Sequence, residues 1–125
     1  MSKKILVIED DKFLRELMIK KLANEGFEVS SAADGEEGIR CVKEKQPDLI
    51  LLDLILPGLD GFGVLTKLQE DPALPKIPVI ILSNLSQREE IEKARQLGVK
   101  DFLIKAHFVP GEIVSKVNDV LARKM

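Results

Sequence analysis

Five short apolar runs, at residues 5–8, 27–29, 49–52, 79–82 and 102–104, recur along the chain, each separated from the next by a stretch long enough for a helix. That alternation predicts a βαβαβαβαβα order and an α/β fold on a parallel sheet, because parallel neighbours need crossover connections of helical length. Three of the runs, at 5–8, 49–52 and 79–82, are apolar over four consecutive residues instead of alternating. A strand open to water on one face alternates, so continuous runs require helices on both faces of the sheet. Right-handed crossovers supply those helices, and ligands of such sheets bind outside the carboxyl ends of the strands, where the strand order reverses.

The intervening stretches carry helix punctuation. Phe13, Leu14, Leu17, Met18 and Leu22 trace one apolar face that Gly26 stops, and Ile113, Val117, Val120 and Leu121 trace another that Pro110 starts. Asp34 with Glu37, and Ser86 with Glu89, have the spacing of capping boxes. Residues 60–70 form a weaker helix pattern, since Gly61 and Gly63 lower its propensity, but Asp60 can cap it and Phe62, Leu65 and Leu68 share a face. Pro72, Pro75 and Pro78 predict an extended connector before the fourth strand. With no linker composition and no repeat beyond the βα period, residues 1–125 read as one domain.

A hydrophobic content of 45% in 125 residues is enough for a sizeable core. A net charge of -2 argues against a surface that binds nucleic acid, which would be basic. Cys41, the single cysteine, cannot form an internal disulfide, and the apolar run after Lys4 is too short for a signal peptide or a membrane span; a reducing cytoplasm is the expected location.

Glu9, Asp10 and Asp11 stand directly after the first run and Asp53 directly after the third, so carboxylates gather at one edge of the sheet. They repel one another unless a cation neutralises them. Oxygen ligands without Cys or His favour Mg²⁺ or Mn²⁺ over zinc. Ser83 follows the fourth run and Lys105 the fifth, adding a hydroxyl and an ammonium to that edge. A dianionic phosphoryl group suits this set, with metal on one side, Lys105 as a point charge on the other and Ser83 donating to an oxygen. Taken singly, Lys105 reads as a snorkelling surface lysine and Ser83 as a hydroxyl satisfying nearby backbone; their joint placement carries the argument. Asp11 reads as the N-cap of the first helix. His107 is a solvated loop residue, and Cys41 a packed small side chain rather than a redox sensor.

The segments I-L-V-I-E-D-D at 5–11, L-I-L-L-D-L-I-L-P-G-L-D-G at 49–61, V-I-I-L-S-N at 79–84 and K-D-F-L-I-K at 100–105 resemble the receiver domain of two-component response regulators, over essentially the whole chain. The resemblance implies a flavodoxin-like (βα)5 three-layer sandwich with a five-stranded parallel sheet of order 2-1-3-4-5. It implies that Asp53 accepts a phosphoryl group from a sensor histidine kinase or a histidine phosphotransfer protein. Asp10 would bind Mg²⁺ directly and Glu9 mostly through water, with Asp53 and the backbone carbonyl of Ile55 as further ligands. Lys105 would pair with the phosphoryl oxygens, Ser83 would be drawn toward them, and Phe102 holds the position of the aromatic switch. The output would be a surface of the fourth helix, fifth strand and fifth helix, offered to a downstream protein, without direct contact to nucleic acid or membrane. Such a chain is a phosphoacceptor switch, not an enzyme beyond assisting its own phosphorylation and dephosphorylation.

Several residues depart from that family's pattern. Ala106 follows Lys105 where a cis proline is usual; a cis non-proline bond costs about 2.5–4 kcal/mol, so this loop either carries strain or takes a trans path. Asn84 replaces a small residue and narrows access to Asp53. Ile55 and Leu85, each two residues beyond a site residue, are apolar and should impede an attacking water, giving a long-lived phosphoaspartate. Lys100 beside Asp101 departs from the paired acids of receivers that dimerise through the output face, so that dimer is not expected.

Other functions fit less well. An aspartate-nucleophile phosphatase wants a second acid where Ile55 stands. A flavin or nucleotide protein wants a hydroxyl- or glycine-rich cradle after the first strand, where Glu9, Asp10 and Asp11 would repel phosphate. A receiver-like adaptor that binds partners without phosphorylation remains the alternative, because of Ala106 and Asn84.

Overall fold

The apolar runs become the strands of one parallel sheet. The computed structural model describes residues 2–74, 76–83, 88–104 and 110–123. In chain order these form β1 (Lys4–Ile8), α1 (Lys12–Asn24), β2 (Glu28–Ala32), α2 (Gly35–Lys45), β3 (Leu49–Leu52), α3 (Gly61–Glu70), β4 (Val79–Ser83), α4 (Arg88–Gln96), β5 (Asp101–Ile104) and α5 (Pro110–Arg123). The sheet order is β2-β1-β3-β4-β5, with every pairing parallel, as the doubly wound reading requires.

Alternate side chains of the central strands feed two cores. Leu6, Ile8, Ile50, Leu52 and Ile81 pack under α2, α3 and α4, while Ile5, Val7, Leu49, Leu51 and Ile80 pack under α1 and α5. Both faces of β1 and β3 are therefore dry, which is why their sequences are apolar without alternation. β2 differs. Its pairing with β1 runs on to Ala32, through Ser30 and Ser31, beyond Phe27 and Val29, the apolar residues that predict it. As an edge strand it is only half covered, so backbone pairing carries it where side-chain hydrophobicity does not.

The apolar face expected of α1 divides. Met18 and Leu22 are buried with Leu14 against them, but Phe13 is 78% exposed and Leu17 36%. Met18 and Leu22 lie one turn apart and suffice to seat the helix, leaving its first turn facing outward at the carboxyl edge. The predicted extended connector is corrected in part. At residues 71–74 the chain instead turns, Leu74 N donating to Asp71 O at 3.1 Å and Ala73 N to the Asp71 side chain at 2.9 Å. Asp71 wins over the prolines because its carboxylate offers the backbone a local acceptor.

Helix ends follow the sequence signals. Asp11, Asp34 and Asp60 accept from the amides of Leu14, Glu37 and Gly63 at 3.1, 2.8 and 2.9 Å. Glu37 completes its box one residue early, accepting from Ala33 N at 3.0 Å. Gly26, at φ 91°, closes α1 in the left-handed conformation that glycine adopts without a Cβ penalty. The Ser86–Glu89 box lies outside the described residues. Cys41 is half-buried, its Sγ 3.9 Å from the Ser31 carbonyl. Burial first, then the nearby Glu37 and Glu44 carboxylates, push its thiol above the ordinary range, which suits the packed reading and not that of a reactive thiolate. Among the described residues no helix is long and apolar enough to cross a membrane.

Candidate functional site

Register brings the acids together. Ile8 pairs with Leu52, so Glu9 and Asp53 leave the sheet side by side from its two central strands. Their backbones remain part of the ladder, Asp53 N donating to Ile8 O at 3.0 Å and Glu9 N to Ala32 O at 3.1 Å. Asp53 is 4% exposed and Glu9 1%, while Asp10 points outward. One carboxylate oxygen from each of Glu9, Asp10 and Asp53 lies within 4.8 Å of the other two. The burial of Glu9 is deeper than a solvated strand end would show.

Local hydrogen bonds hold this geometry. The Ile55 amide donates to Asp53 Oδ1 at 3.1 Å, which orients the carboxylate from its own loop. Asp11 N donates to Glu9 Oε2 at 3.1 Å, so the cap of α1 and the acid pair are one structural unit. α3 begins hard against the same loop. Gly61 N donates to Leu54 O at 3.0 Å, and a Cβ at Gly61 would come within 2.6 Å of the Asp53 carbonyl oxygen. Only glycine allows the helix to start there.

Arg15 is a contributor that pattern reading does not single out. Its Nη1 donates to the Glu9 carbonyl at 2.8 Å and approaches the Asp10 carbonyl at 3.4 Å, pinning the acid-bearing turn to α1. A signal was available in its spacing, four residues beyond the Asp11 cap and hence one turn along the helix from it.

Of the other sequence candidates, Ser83 ends β4 in register with Ile104, and its side chain lies outside the described residues. Leu52 pairs with Ile81, which sets Ser83 one residue beyond the level of Asp53 toward the carboxyl edge. Lys105, Ala106, His107, Asn84 and Leu85 lie outside the described residues, and with them the Lys105–Ala106 peptide bond. Phe102 sits half-buried on the edge strand β5, packed against the core under α2, α3 and α4. Asp101 beside it is shared by Lys116 at 3.2 Å and Arg123 at 3.5 Å, which ties β5 to α5.

Glu9, Asp10 and Asp53 make an oxygen-only donor set with no histidine or cysteine among them, from a mixture of buried and exposed carboxylates. Such a set fits a hard divalent cation that keeps part of its water shell, as Mg²⁺ does.

The family model of the response regulator receiver domain matches residues 5–118. The response regulator PleD of Caulobacter vibrioides is 40% identical to this chain over 84% of it and 23% of its own length. The DNA-binding response regulator MtrA of Mycolicibacterium smegmatis is 34% identical over 98% of this chain and 52% of its own length. The chain thus spans about half, or less, of the length of these curated relatives. Among solved structures, the receiver domain of the Francisella response regulator 1452 is similar at a TM-score of 0.90 and 31% identity, covering 99% of this chain and 100% of that one. The N-terminal domain of a Wolinella succinogenes protein is similar at 0.88 and 36% identity, covering 98% and 97%.

Proposed function

Because this chain belongs to the response regulator receiver family of two-component systems, we propose that Asp53 accepts a phosphoryl group from a histidine kinase or a histidine phosphotransfer protein. The observation that carries this reading is the convergence of Glu9, Asp10 and the buried Asp53 at the carboxyl edge of the two central strands. An Asp53 carboxylate oxygen attacks the phosphorus of a phosphohistidine. The P–O bond forms as the P–N bond breaks, and the departing imidazole nitrogen takes up a proton. The Ile55 amide holds the attacking carboxylate in place, and the Arg15 clamp holds the turn that carries Glu9 and Asp10. Mg²⁺, bound by Asp10, Asp53, the Ile55 carbonyl and, through water, Glu9, would neutralise the acids and the incoming phosphoryl oxygens together. This chain acts as a switch and not as an enzyme with a separate substrate, and it works in the cytoplasm.

The new phosphoryl group adds about -1.5 to -2 charge and strong acceptors. In this reading Lys105 and Ser83 meet those acceptors, and Phe102 transmits the change to a surface of α4, β5 and α5 that binds a downstream protein. The exposed large apolar side chains among the described residues support a docking face for the donor. Phe13 and Leu17 rise one turn apart on α1, directly after the acids, and Ile55, 58% exposed, stands two residues beyond Asp53. Phe13→Ser should slow phosphoryl transfer from a protein donor about tenfold, taking it as an anchor residue of the interface. The same variant should leave transfer from acetyl phosphate unchanged; equal effects on both donors would show that Phe13 serves the fold and not docking.

Ile55 also bears on the lifetime of the phosphorylated state. In this reading its apolar side chain impedes a water approaching the phosphoaspartate, and a polar residue there would orient that water instead. Ile55→Asn is expected to speed autodephosphorylation by about tenfold, well below the upper range for a positioned acid or base. A decay rate equal to that of the unaltered protein would exclude the shielding role.

The reading as a whole is tested by incubating the protein with Mg²⁺ and acetyl phosphate and following intact mass. One added phosphoryl mass, lost when EDTA is present, is the expected result. Protein that binds Mg²⁺ but gains no mass would instead favour an adaptor that works without phosphorylation.

A further inference from the structure

A hollow of the described surface lies at the opposite edge of the sheet from the acids. It encloses about 530 Å³ where the C-terminal ends of α3, α4 and α5 converge below the start of β4. This size falls within the range of small-molecule sites. Its floor is apolar, from Leu68, Val79, Leu97 and Val120. Its remaining charged lining is entirely cationic, from Lys76, Lys100 and Arg123, in a chain whose net charge is -2.

Two of these three cations already serve an ordinary structural purpose. Lys76 Nζ donates to the Gln69 carbonyl in the last turn of α3 at 3.3 Å, and Arg123 reaches Asp101 at 3.5 Å. Those contacts hold two charged heads at the rim with donors to spare, since an ammonium has three N–H groups and a guanidinium five. Lys100 has no such purpose. Its backbone amide donates to Val79 O at 2.8 Å, which fixes its backbone beside another lining residue, and its side chain forms no ion pair among the described residues. An apolar floor under three cations and no lining acid is complementary to one chemical class.

We propose that this hollow binds a small amphipathic anion, an aliphatic or aryl group lying on the Leu68, Val79, Leu97 and Val120 floor with its carboxylate held by Lys76, Lys100 and Arg123. The occupant would touch the ends of α4 and α5 and the residue before β5, at about 10 Å or more from Asp53 by strand rise. Binding there does not depend on phosphorylation and is measured on the unphosphorylated chain.

The test is a titration of the ¹⁵N-labelled chain with sodium octanoate, compared with neutral 1-octanol. Saturable amide shifts centred on Leu68, Val79, Leu97 and Val120 are expected, with half-saturation near or below ~1 mM for so small a probe. 1-Octanol should bind at least about fivefold more weakly, because it leaves the cations unmatched. The double variant Lys76→Glu with Lys100→Glu, at two exposed positions, should weaken octanoate about tenfold or more while its amide spectrum stays folded. No saturable shift up to ~10 mM, shifts centred on the Asp10 and Asp53 edge, or an affinity unchanged in the double variant would each overturn the proposal.

Discussion

Replacing Asp53 with asparagine should abolish phosphoryl uptake altogether while leaving the chain folded. Asparagine keeps the shape of the side chain and an oxygen able to accept from the Ile55 amide, so the loop geometry set by that 3.1 Å hydrogen bond survives. Nucleophilicity does not survive, because a neutral amide oxygen cannot displace the imidazole of a phosphohistidine to form an acyl phosphate. The effect on stability has the opposite sign. One carboxylate oxygen from each of Glu9, Asp10 and Asp53 lies within 4.8 Å of the other two, and like charges brought so close oppose one another. Removing one member of the cluster should raise the thermal midpoint in EDTA and weaken Mg²⁺ binding. Intact mass after acetyl phosphate, with thermal denaturation in EDTA and in Mg²⁺, reads all three effects. Residual phosphoryl mass on the variant would move the acceptor to another carboxylate, and a lower midpoint in EDTA would show that the cluster is not under repulsion.

Gly35→Ala should destabilise the chain by about 2–4 kcal/mol, although alanine is ordinarily the better helix former by about 1 kcal/mol. Gly35 opens α2 directly after the Asp34 cap, and an added Cβ would collide with the carbonyl oxygen of Leu59 and stand 2.9 Å from Val64 Cγ2. The first obstacle is backbone, so no rotamer change relieves it. Gly38→Ala makes a useful contrast. Its Cβ would meet the Ile8 side chain, 2.6 Å from Cδ1, an obstacle that can rotate, so the cost should be smaller. Leu59 belongs to the segment joining Asp53 to α3, so the displaced backbone in Gly35→Ala should also slow phosphoryl uptake. Denaturant midpoints of the two variants measure the difference; a midpoint for Gly35→Ala at or above that of the unaltered chain would show that the α2 and α3 ends yield more easily than their close approach implies.

β1 and β3 could be read from sequence together with their ends, because a strand buried on both faces must be apolar at every position, and its first acid then marks where it leaves the core. Glu9, Asp10 and Asp53 stand out in that way. Asp11, Asp34 and Asp60 were legible as caps because capping is local chemistry over three residues. Arg15 was not, since its role is a reach from helix to preceding turn that no apolar period encodes. The exposure of Phe13 is not legible in sequence, because a helical wheel treats every residue of an apolar stripe alike, while α1 needs only Met18 and Leu22 to seat it.

The alternation of strands and helices, the sidedness of the acids and their oxygen-only chemistry follow from residue type and short-range spacing alone. Only packing sets how far β2 runs, that Glu9 is buried while Asp10 is not, that Gly35 and Gly61 stand where backbones nearly touch, and that three cations far apart in the chain line one apolar hollow. These depend on register and helix docking, which bring together residues tens of positions apart and are set by the packing of the whole sheet and its helices.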